Sequence, residues 1–457
     1  MSDRPAPAPA PRLLPIAAPM LLELALGIGV GTLGTWLAAR LSDADGAAYA
    51  MAHHVLAMLF VLFRIVGAGI GVVVAQCLGA GRRDQADAVA FATLGASSWV
   101  GGATALLALL GATPLLRGLN TPPDVLPLAA PFLMALAPAL MLDAWNASMA
   151  SVLRAHLRVH ETLQIIVAMH LLLLVLAWLL VPRLGLPGYA LALAASRGLG
   201  LLLHLACWRS RLALRPRWAH WWQVPRGTLA PVLRIGLPGA AENVAYRLAF
   251  LVSVAVVGQM GGAALATQAY ALQIGYVVLL FGLATGLSVE IVVGHLVGAG
   301  QLRRAHRLVR RALGLGLVVS LAGAGAAALA GPWLMRHFSS DASIVAAGAL
   351  LMWWTVVLEP GRTFNLVVIN ALRATGDARY PLAAGAASML LVLAGGSWLL
   401  GIHLGWGLPG VWIAYAADEW LRGLLMWRRW VSLGWLPHAR AAHRRLRRSS
   451  RPASDLG

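Results

Sequence analysis

Charged side chains are scarce in this chain of 457 residues. They make up 12% of the sequence, whereas soluble proteins carry roughly 25%. Hydrophobic residues make up 60%, and apolar runs of about 20 residues, the length that crosses a hydrocarbon core, recur along the chain. The shortage of charge excludes an ordinary soluble protein and indicates an all-α polytopic membrane protein.

Cysteine and the common catalytic motifs are also rare or missing. Only Cys77 and Cys207 occur, both near predicted cytoplasmic helix ends, where a reducing compartment disfavours a disulfide. The sequence has no H-E-x-x-H, no G-x-S-x-G, no Walker loop and no metal-ligand spacing of Cys and His. We therefore expect neither an enzyme nor a resident cofactor.

Lysine is absent, so all 36 Lys+Arg residues are arginine, and the formal net charge is +19. In a soluble chain this charge would indicate a nucleic-acid partner. Here most arginines fall in alternate loops and the two tails, as the positive-inside rule describes. The pattern predicts a bacterial inner-membrane protein with both termini in the cytoplasm and a lipid bilayer, not nucleic acid, around it. The loops between carry only four arginines: Arg40, Arg117, Arg183 and Arg336.

The apolar runs predict twelve transmembrane helices. Their spans are 13–40, 47–78, 88–112, 125–152, 162–182, 187–208, 229–258, 263–297, 306–331, 342–372, 380–401 and 408–431. The corresponding divisions are a disordered tail (1–12), a first lobe (13–208), a cytoplasmic linker rich in Arg and Trp (209–228), a second lobe (229–431) and a basic cytoplasmic tail (432–457).

The chain contains an internal repeat with an offset of 219 residues (238 − 19 = 219). Each half holds six predicted spans, an even number, so the two repeats enter the membrane in the same direction. Transporters with parallel repeats bind substrate near the midplane, between the halves. We therefore expect two six-helix lobes around a central cavity. The offset superposes Pro19 on Pro238, Glu23 on Glu242, Gly67 on Gly286, and Leu153–Ala155 on Leu372–Ala374.

Several motifs recur in order along nearly the whole chain. GAGRRDQA and GAGQLRRA follow the second and eighth predicted helices, and ALRATGD spans Ala371–Asp377. The seventh predicted helix carries Gly236, Pro238 and Glu242 as G-x-P-x-x-x-E. Together they resemble the multidrug and toxic compound extrusion (MATE) family. The resemblance implies a V-shaped pair of six-helix lobes that expels cationic, amphipathic compounds in exchange for sodium ions or protons.

Glu242 is the first candidate for a coupling site, because an ionisable residue inside the membrane costs roughly 2.5–3.5 kcal/mol and is usually functional. It lies one turn after Pro238, and Asn243, Tyr246 and Arg247 follow it closely. The resemblance implies that Glu242 is the acid used for cation coupling, with a sodium ion as one candidate there. The alternative is a structural ion pair with Arg247 or with an arginine of another helix.

Glu23 is the repeat equivalent of Glu242. The family usually has an Asp about two turns deeper in this helix, where this chain has Gly31. Either Glu23 supplies the carboxylate from a different depth, or the first half lacks the usual ion site. Arg64 and Arg197 lie in predicted spans of the first half and are candidate partners for Glu23 or Asp143.

Glu359 and Arg362 are three residues apart on the tenth predicted helix, a spacing that places them on one face. The offset of 219 superposes Arg362 on Asp143, which has the opposite charge. Asp143 and Arg362 either contact each other between the lobes, or each is satisfied locally. In the local alternative, which we favour slightly, Glu359 pairs with Arg362, and Asn146 or an arginine of the same lobe satisfies Asp143.

These features predict a monomeric antiporter of small molecules, driven by protons or sodium ions. Glu23 and Glu242 would face one polar cavity between the halves, attract a cationic compound, and release it when they bind the coupling ion on the other side. Two alternatives stay open. A major facilitator has two parallel halves as well, although its loop motif after the second helix differs from GAGRRDQADA. An exporter of a lipid-linked or anionic precursor would use the intramembrane arginines Arg64, Arg197, Arg247 and Arg362.

Overall fold

The computed structural model describes residues 12–448. The predicted N-terminal tail and residues 449–457 of the predicted basic tail therefore lie outside the described residues, except for position 12. The side chain of Arg64 lies outside them too. It belongs to a group of side chains in the second helix that are not described: Phe60, Val61, Leu62, Arg64, Ile65, Val66 and Ala68.

The first repeat forms long helices joined by short turns. The N-terminus of the second helix is capped by Ser42, whose hydroxyl accepts the backbone N–H of Asp45 at 3.0 Å. The helices are α1 (Leu14–Ala39), α2 (Asp43–Gly79), α3 (Arg83–Leu110), α4 (Ala112–Gly118), α5 (Leu126–Ala135), α6 (Ala137–Ala155), α7 (Val159–Leu184) and α8 (Leu186–Cys207).

The second repeat follows after a linker that holds a π-helical turn (Trp208–Leu212) and a 3-10 turn (Trp218–Trp221). Its helices are α9 (Arg226–Gly258), α10 (Gly262–Gly298), α11 (Leu302–Leu329), α12 (Gly331–Arg336), α13 (Ala342–Ala374), α14 (Arg379–Ser388), α15 (Gly395–Trp398) and α16 (Gly407–Val431). A further helix, α17 (Leu436–Arg448), lies in the predicted basic tail.

Each predicted span coincides with one helix or with a broken helix. The span 125–152 is α5 followed by α6, bent by 45°, and the span 380–401 is α14 and α15 with π-helical segments at Met389–Ala394 and Leu399–His403. Within the described residues, nine helices are long and apolar enough to cross a membrane, or ten if α5 and α6 form one span. The all-helical membrane class is therefore confirmed, and the count of twelve stays a prediction.

Buried apolar side chains form four clusters that differ in which repeats they join. Two clusters stay within one repeat, between Leu37 and Leu193 and between Ala249 and Tyr415 or Ala416. The other two combine both repeats: Ile16 and Met20 pack with the second repeat, and Val232 packs with the first. These mixed clusters lie toward the end where α2, α6, α10 and α13 finish, here called the arginine-rich end. The repeats are thus packed together at this end.

Helix α17 lies across the arginine-rich end. Its Ala439 is buried in one mixed cluster and its Leu446 in the other. A ring nitrogen of His443 is 2.8 Å from the carbonyl oxygen of Gly298, and the guanidinium of Arg82 donates to the carbonyl oxygen of Leu446 at 3.4 Å. The predicted basic tail therefore includes a helix that contacts both repeats.

Candidate functional site

Glu242 is buried in an ion pair with Arg373. Its carboxylate lies 2.6 Å from a terminal guanidinium nitrogen of Arg373, which comes from α13. The predicted pair with Arg247 does not form, because Arg247 lies on an exposed face of α9. The alternative of an arginine from another helix is the one that the structure shows.

Glu23 makes the equivalent ion pair in the first repeat. It binds Arg154, which lies at the end of α6. The two pairs superpose under the offset of 219 residues, since both glutamates and both arginines are repeat equivalents (242 − 23 = 373 − 154 = 219). The Glu23 pair is the more accessible one, with 17% of the Glu23 side chain and 23% of the Arg154 side chain exposed.

The two glutamates do not share one cavity in this conformation. Glu242 points among the helices of its own repeat, where Gly385 of α14 lies beside it, and it is only 6% exposed. The expectation that both acids line one polar cavity between the halves is therefore wrong for this conformation, because each acid is drawn to an arginine of its own repeat. Asn243 also turns inward locally and donates to the carbonyl oxygen of Gly239 at 2.8 Å.

Asp143 and Arg362 are likewise satisfied within their own repeats. Asp143 lies 2.7 Å from the guanidinium of Arg197, and Arg362 lies 2.7 Å from Glu359. The local alternative therefore agrees with the structure, and the contact between the two halves does not. Asn146 donates its amide to the backbone oxygen of Arg197 at 2.9 Å, so it positions the partner of Asp143.

The sequence analysis did not single out Glu419, which completes a second duplicated pair. Glu419 lies 3.7 Å from Arg362. After the three-residue insertion that separates the GLPG motifs, Glu419 is the repeat equivalent of Arg197 (419 − 197 = 222). The pair Asp143–Arg197 of the first repeat thus corresponds to Arg362–Glu419 in the second, with the charges exchanged. This correspondence was visible in the sequence.

The second repeat extends this pair into a buried network. Arg422 lies 2.8 Å from Glu419 and 2.6 Å from Asp418, and Asn365 donates to Glu419 at 3.0 Å. Tyr246 faces the network, with the guanidinium of Arg422 5.9 Å from its ring centre. Every acid named here is engaged by an arginine, so the network has the composition of a structural and electrostatic core.

The donor set around Glu242 favours a guanidinium over a metal ion. One of its carboxylate oxygens accepts from Arg373, and bound cations normally need several oxygen ligands. Among the described residues, no group of three or more His, Cys, Asp or Glu side chains is arranged to hold a metal ion. The predicted sodium ion near Glu242 stays a prediction.

A membrane-embedded helical bundle with two parallel repeats and paired intramembrane charges has the architecture of a secondary transporter. The family model MatE matches residues 19–179 and 238–398, two segments that are themselves offset by 219 residues. The chain belongs to this family, the MATE transporters, and this membership excludes the major facilitator alternative.

Curated relatives and solved structures agree with the family. The chain is 30% identical over 442 residues to the probable multidrug resistance protein NorM of Bradyrhizobium diazoefficiens, covering 91% of this chain and 92% of that protein. It is 29% identical over 430 residues to the uncharacterized transporter YisQ of Bacillus subtilis, covering 93% and 94%. The bent form of the Vibrio cholerae MATE transporter VcmN superposes with a TM-score of 0.84 at 18% identity, covering 94% of this chain and 97% of that chain.

Proposed function

We propose that this protein exports cationic or amphipathic small molecules across the bacterial inner membrane by proton-coupled antiport. Twelve spans form two six-helix lobes, and the arginine-rich end faces the cytoplasm. The relatives named as multidrug resistance proteins support export of small molecules, and the positive-inside rule supports the orientation.

The duplicated Glu–Arg pair is the observation that carries the proposal. Glu23–Arg154 and Glu242–Arg373 lie inside the bundle at equivalent positions, where an unpaired charge is costly. A proton neutralises the carboxylate and releases the arginine without needing a ligand set, whereas a sodium ion would have to displace the guanidinium. This contrast favours protons over sodium ions as the coupling ion.

The packing of the repeats supports a state that is closed to the cytoplasm. Both clusters that combine the repeats lie at the arginine-rich end, and the other two each stay within one repeat. On α1, no side-chain or backbone atom lies within 4 Å of a Cβ built on Gly27, Gly29 or Gly31. Alternating access then consists of separating the repeats at the arginine-rich end and joining them at the other.

A cationic substrate fits the charges better than an anionic one. Arg197 and Arg362, which kept the anionic-precursor alternative open, are both engaged by acids. Only partly screened acidic groups, such as Glu23, then remain to attract a substrate from the open side. We therefore place cationic compounds first.

The proposal is tested by replacing Glu242 with Gln. The variant keeps the size of the side chain but cannot change its charge, so we expect proton-driven efflux of ethidium from cells to fall about tenfold or more, a typical loss when an acid–base group is removed. Asp124→Asn, which alters an exposed acid, is the matched control and should leave efflux unchanged. Normal efflux by Glu242→Gln at a normal protein level would contradict the coupling role.

The coupling ion is tested in proteoliposomes with separate pH and sodium gradients. We expect ethidium transport to follow the pH gradient and to be unaffected by a sodium gradient at constant pH. Transport that follows sodium alone would overturn the choice of the proton while leaving antiport itself in place.

A further inference from the structure

Two side-chain hydrogen bonds join the repeats at the arginine-rich end. The amide of Gln76 on α2 donates to the backbone oxygen of Ala374 at 2.8 Å. His295 on α10 has its Nε2 atom 2.8 Å from the backbone oxygen of Ala155, and this nitrogen must donate because a carbonyl oxygen only accepts. The donors are repeat equivalents, and so are the acceptors (295 − 76 = 374 − 155 = 219). We call these two contacts the interrepeat bonds.

The two acceptors are the last residues of their helices. Carbonyl groups at a helix C-terminus have no partner within the helix, so those of Ala155 on α6 and Ala374 on α13 are available to an outside donor. Two residues later the chain enters a left-handed conformation, with φ of 62° at Leu157 and 90° at Gly376. This turn leads the backbone away from the helix axis and leaves room for Gln76 and His295.

Both donors lie where α2 and α10 touch through their backbones. A Cβ atom built on Gly79 would overlap the backbone oxygen of His295, and one built on Gly298 would overlap that of Gln76. Each donor is thus held against the glycine of the other repeat. Because this close approach requires the repeats to be together, the interrepeat bonds exist only while the arginine-rich end is closed.

Each acceptor directly follows the arginine of a Glu–Arg pair. Arg154, which binds Glu23, precedes Ala155, and Arg373, which binds Glu242, precedes Ala374. A glutamate therefore fixes the helix end that receives the hydrogen bond from the opposite repeat. Loss of the ion pair frees the arginine and weakens the hold on the neighbouring carbonyl group.

We propose that Gln76 and His295 are positioning residues that keep the arginine-rich end closed, each through the carbonyl next to a Glu–Arg pair of the opposite repeat. The proposal rests on the alternating access of the proposed function, and it names where the state of each glutamate reaches the contact between the repeats. When a glutamate is neutralised, the adjacent interrepeat bond is weakened and opening of this end is favoured.

Ser288 provides a probe for opening. It is buried on α10, where its hydroxyl lies 3.6 Å from the sulfur of Met20 on α1. We would introduce Ser288→Cys into a chain with Cys77→Ala and Cys207→Ala and measure the rate of maleimide labelling in nanodiscs, without substrate or an ion gradient. Gln76→Met should raise the rate about fivefold to tenfold, the effect of losing one net hydrogen bond that holds the closed state.

His295 offers a pair of variants that separates hydrogen bonding from folding. His295→Leu should raise the labelling rate as Gln76→Met does, whereas His295→Gln should stay near the parent rate because glutamine makes this bond in the other repeat. Equal rates for His295→Leu and His295→Gln would overturn the role of the bond. Since the Gln variant keeps a polar donor, it tests the proposal even where the Leu variant fails to fold.

Gln268→Met is the matched control for Gln76→Met. Gln268 is also buried, but it donates to the hydroxyl of Tyr415 at 2.7 Å within the second repeat. Its loss should leave Ser288→Cys labelling unchanged. An equal increase in both methionine variants, or no increase with Gln76→Met, would overturn the proposal. Labelling needs no transport, so this outcome is distinct from normal efflux by Glu242→Gln, which would contradict the proposed function instead.

Discussion

At the scale of single residues, sequence spacing predicted contacts within a helix and missed those between helices. The pair Glu359–Arg362 follows from its three-residue spacing and is formed. The pair Glu242–Arg373 joins residues 131 positions apart, which no helical periodicity relates. Glu23 and Glu242 were predicted as equivalents, and so were the Leu-Arg-Ala segments. Pairing the two sets required the folded bundle.

Asp143 and Arg197 allow a test of how these charges stabilise the fold. Asp143→Asn leaves Arg197 without its partner, and the variant should lose about 2–3 kcal/mol of stability, somewhat below the value for a fully buried pair because both side chains are partly exposed. The double variant Asp143→Asn, Arg197→Gln should recover part of this loss, because no charge is then left unpaired. Thermal unfolding of the purified proteins measures both effects.

The control for this pair is Glu161→Gln, which breaks the more exposed pair of Glu161 with Arg158 at the start of α7. Exposed pairs contribute about 0–1 kcal/mol, so its melting temperature should change little. A double variant no more stable than Asp143→Asn alone would show that Arg197 does not need a counter-charge.

At the scale of helices, the positions of the spans followed from hydropathy, but their irregularities did not. The bend between α5 and α6 and the π-helical segments at Met389–Ala394 and Leu399–His403 depend on how neighbouring helices pack. The short helices α4 and α12 are below the length that a hydropathy window detects, although both begin at repeat-equivalent positions. Arginines dominate α17, so its narrow buried face was not recognised as a helix.

Docking of α17 predicts that Cys77 is shielded. Cys77 is buried in the same apolar cluster as Leu446. Ala439→Glu places a charge on the buried face of α17 and should release the helix, so that maleimide labels Cys77 about tenfold faster, the change that corresponds to roughly 1.4 kcal/mol. Cys207→Ala in the parent restricts the label to this one thiol.

The exposed face of α17 provides the control for that experiment. Ala441→Glu makes the same substitution two residues later at an exposed position and should leave the labelling rate of Cys77 unchanged. If Ala439→Glu also leaves the rate unchanged, then α17 does not shield this thiol.

At the scale of the whole molecule, duplication was evident from the sequence, whereas the conformational state was not. One offset relates the motifs, the charge pairs and the interrepeat bonds. Both conformations of an alternating transporter have the same sequence, however, so hydropathy and spacing cannot show which end is closed. Only the distribution of packing, with both mixed clusters at the arginine-rich end, identifies this state.

The duplicated contact between α2 and α10 predicts equal effects of equivalent substitutions. Gly79→Ala and Gly298→Ala each place a methyl group against a backbone oxygen of the other repeat, where helices approach closely only through small residues. Both should disfavour the closed state and raise Ser288→Cys labelling by a similar factor, about fivefold or more. Gly314→Ala on α11, which has open space around it, should have no effect. A large effect of one glycine without the other would show that one repeat alone sets the closure, because twofold-related contacts must contribute equally if they act together.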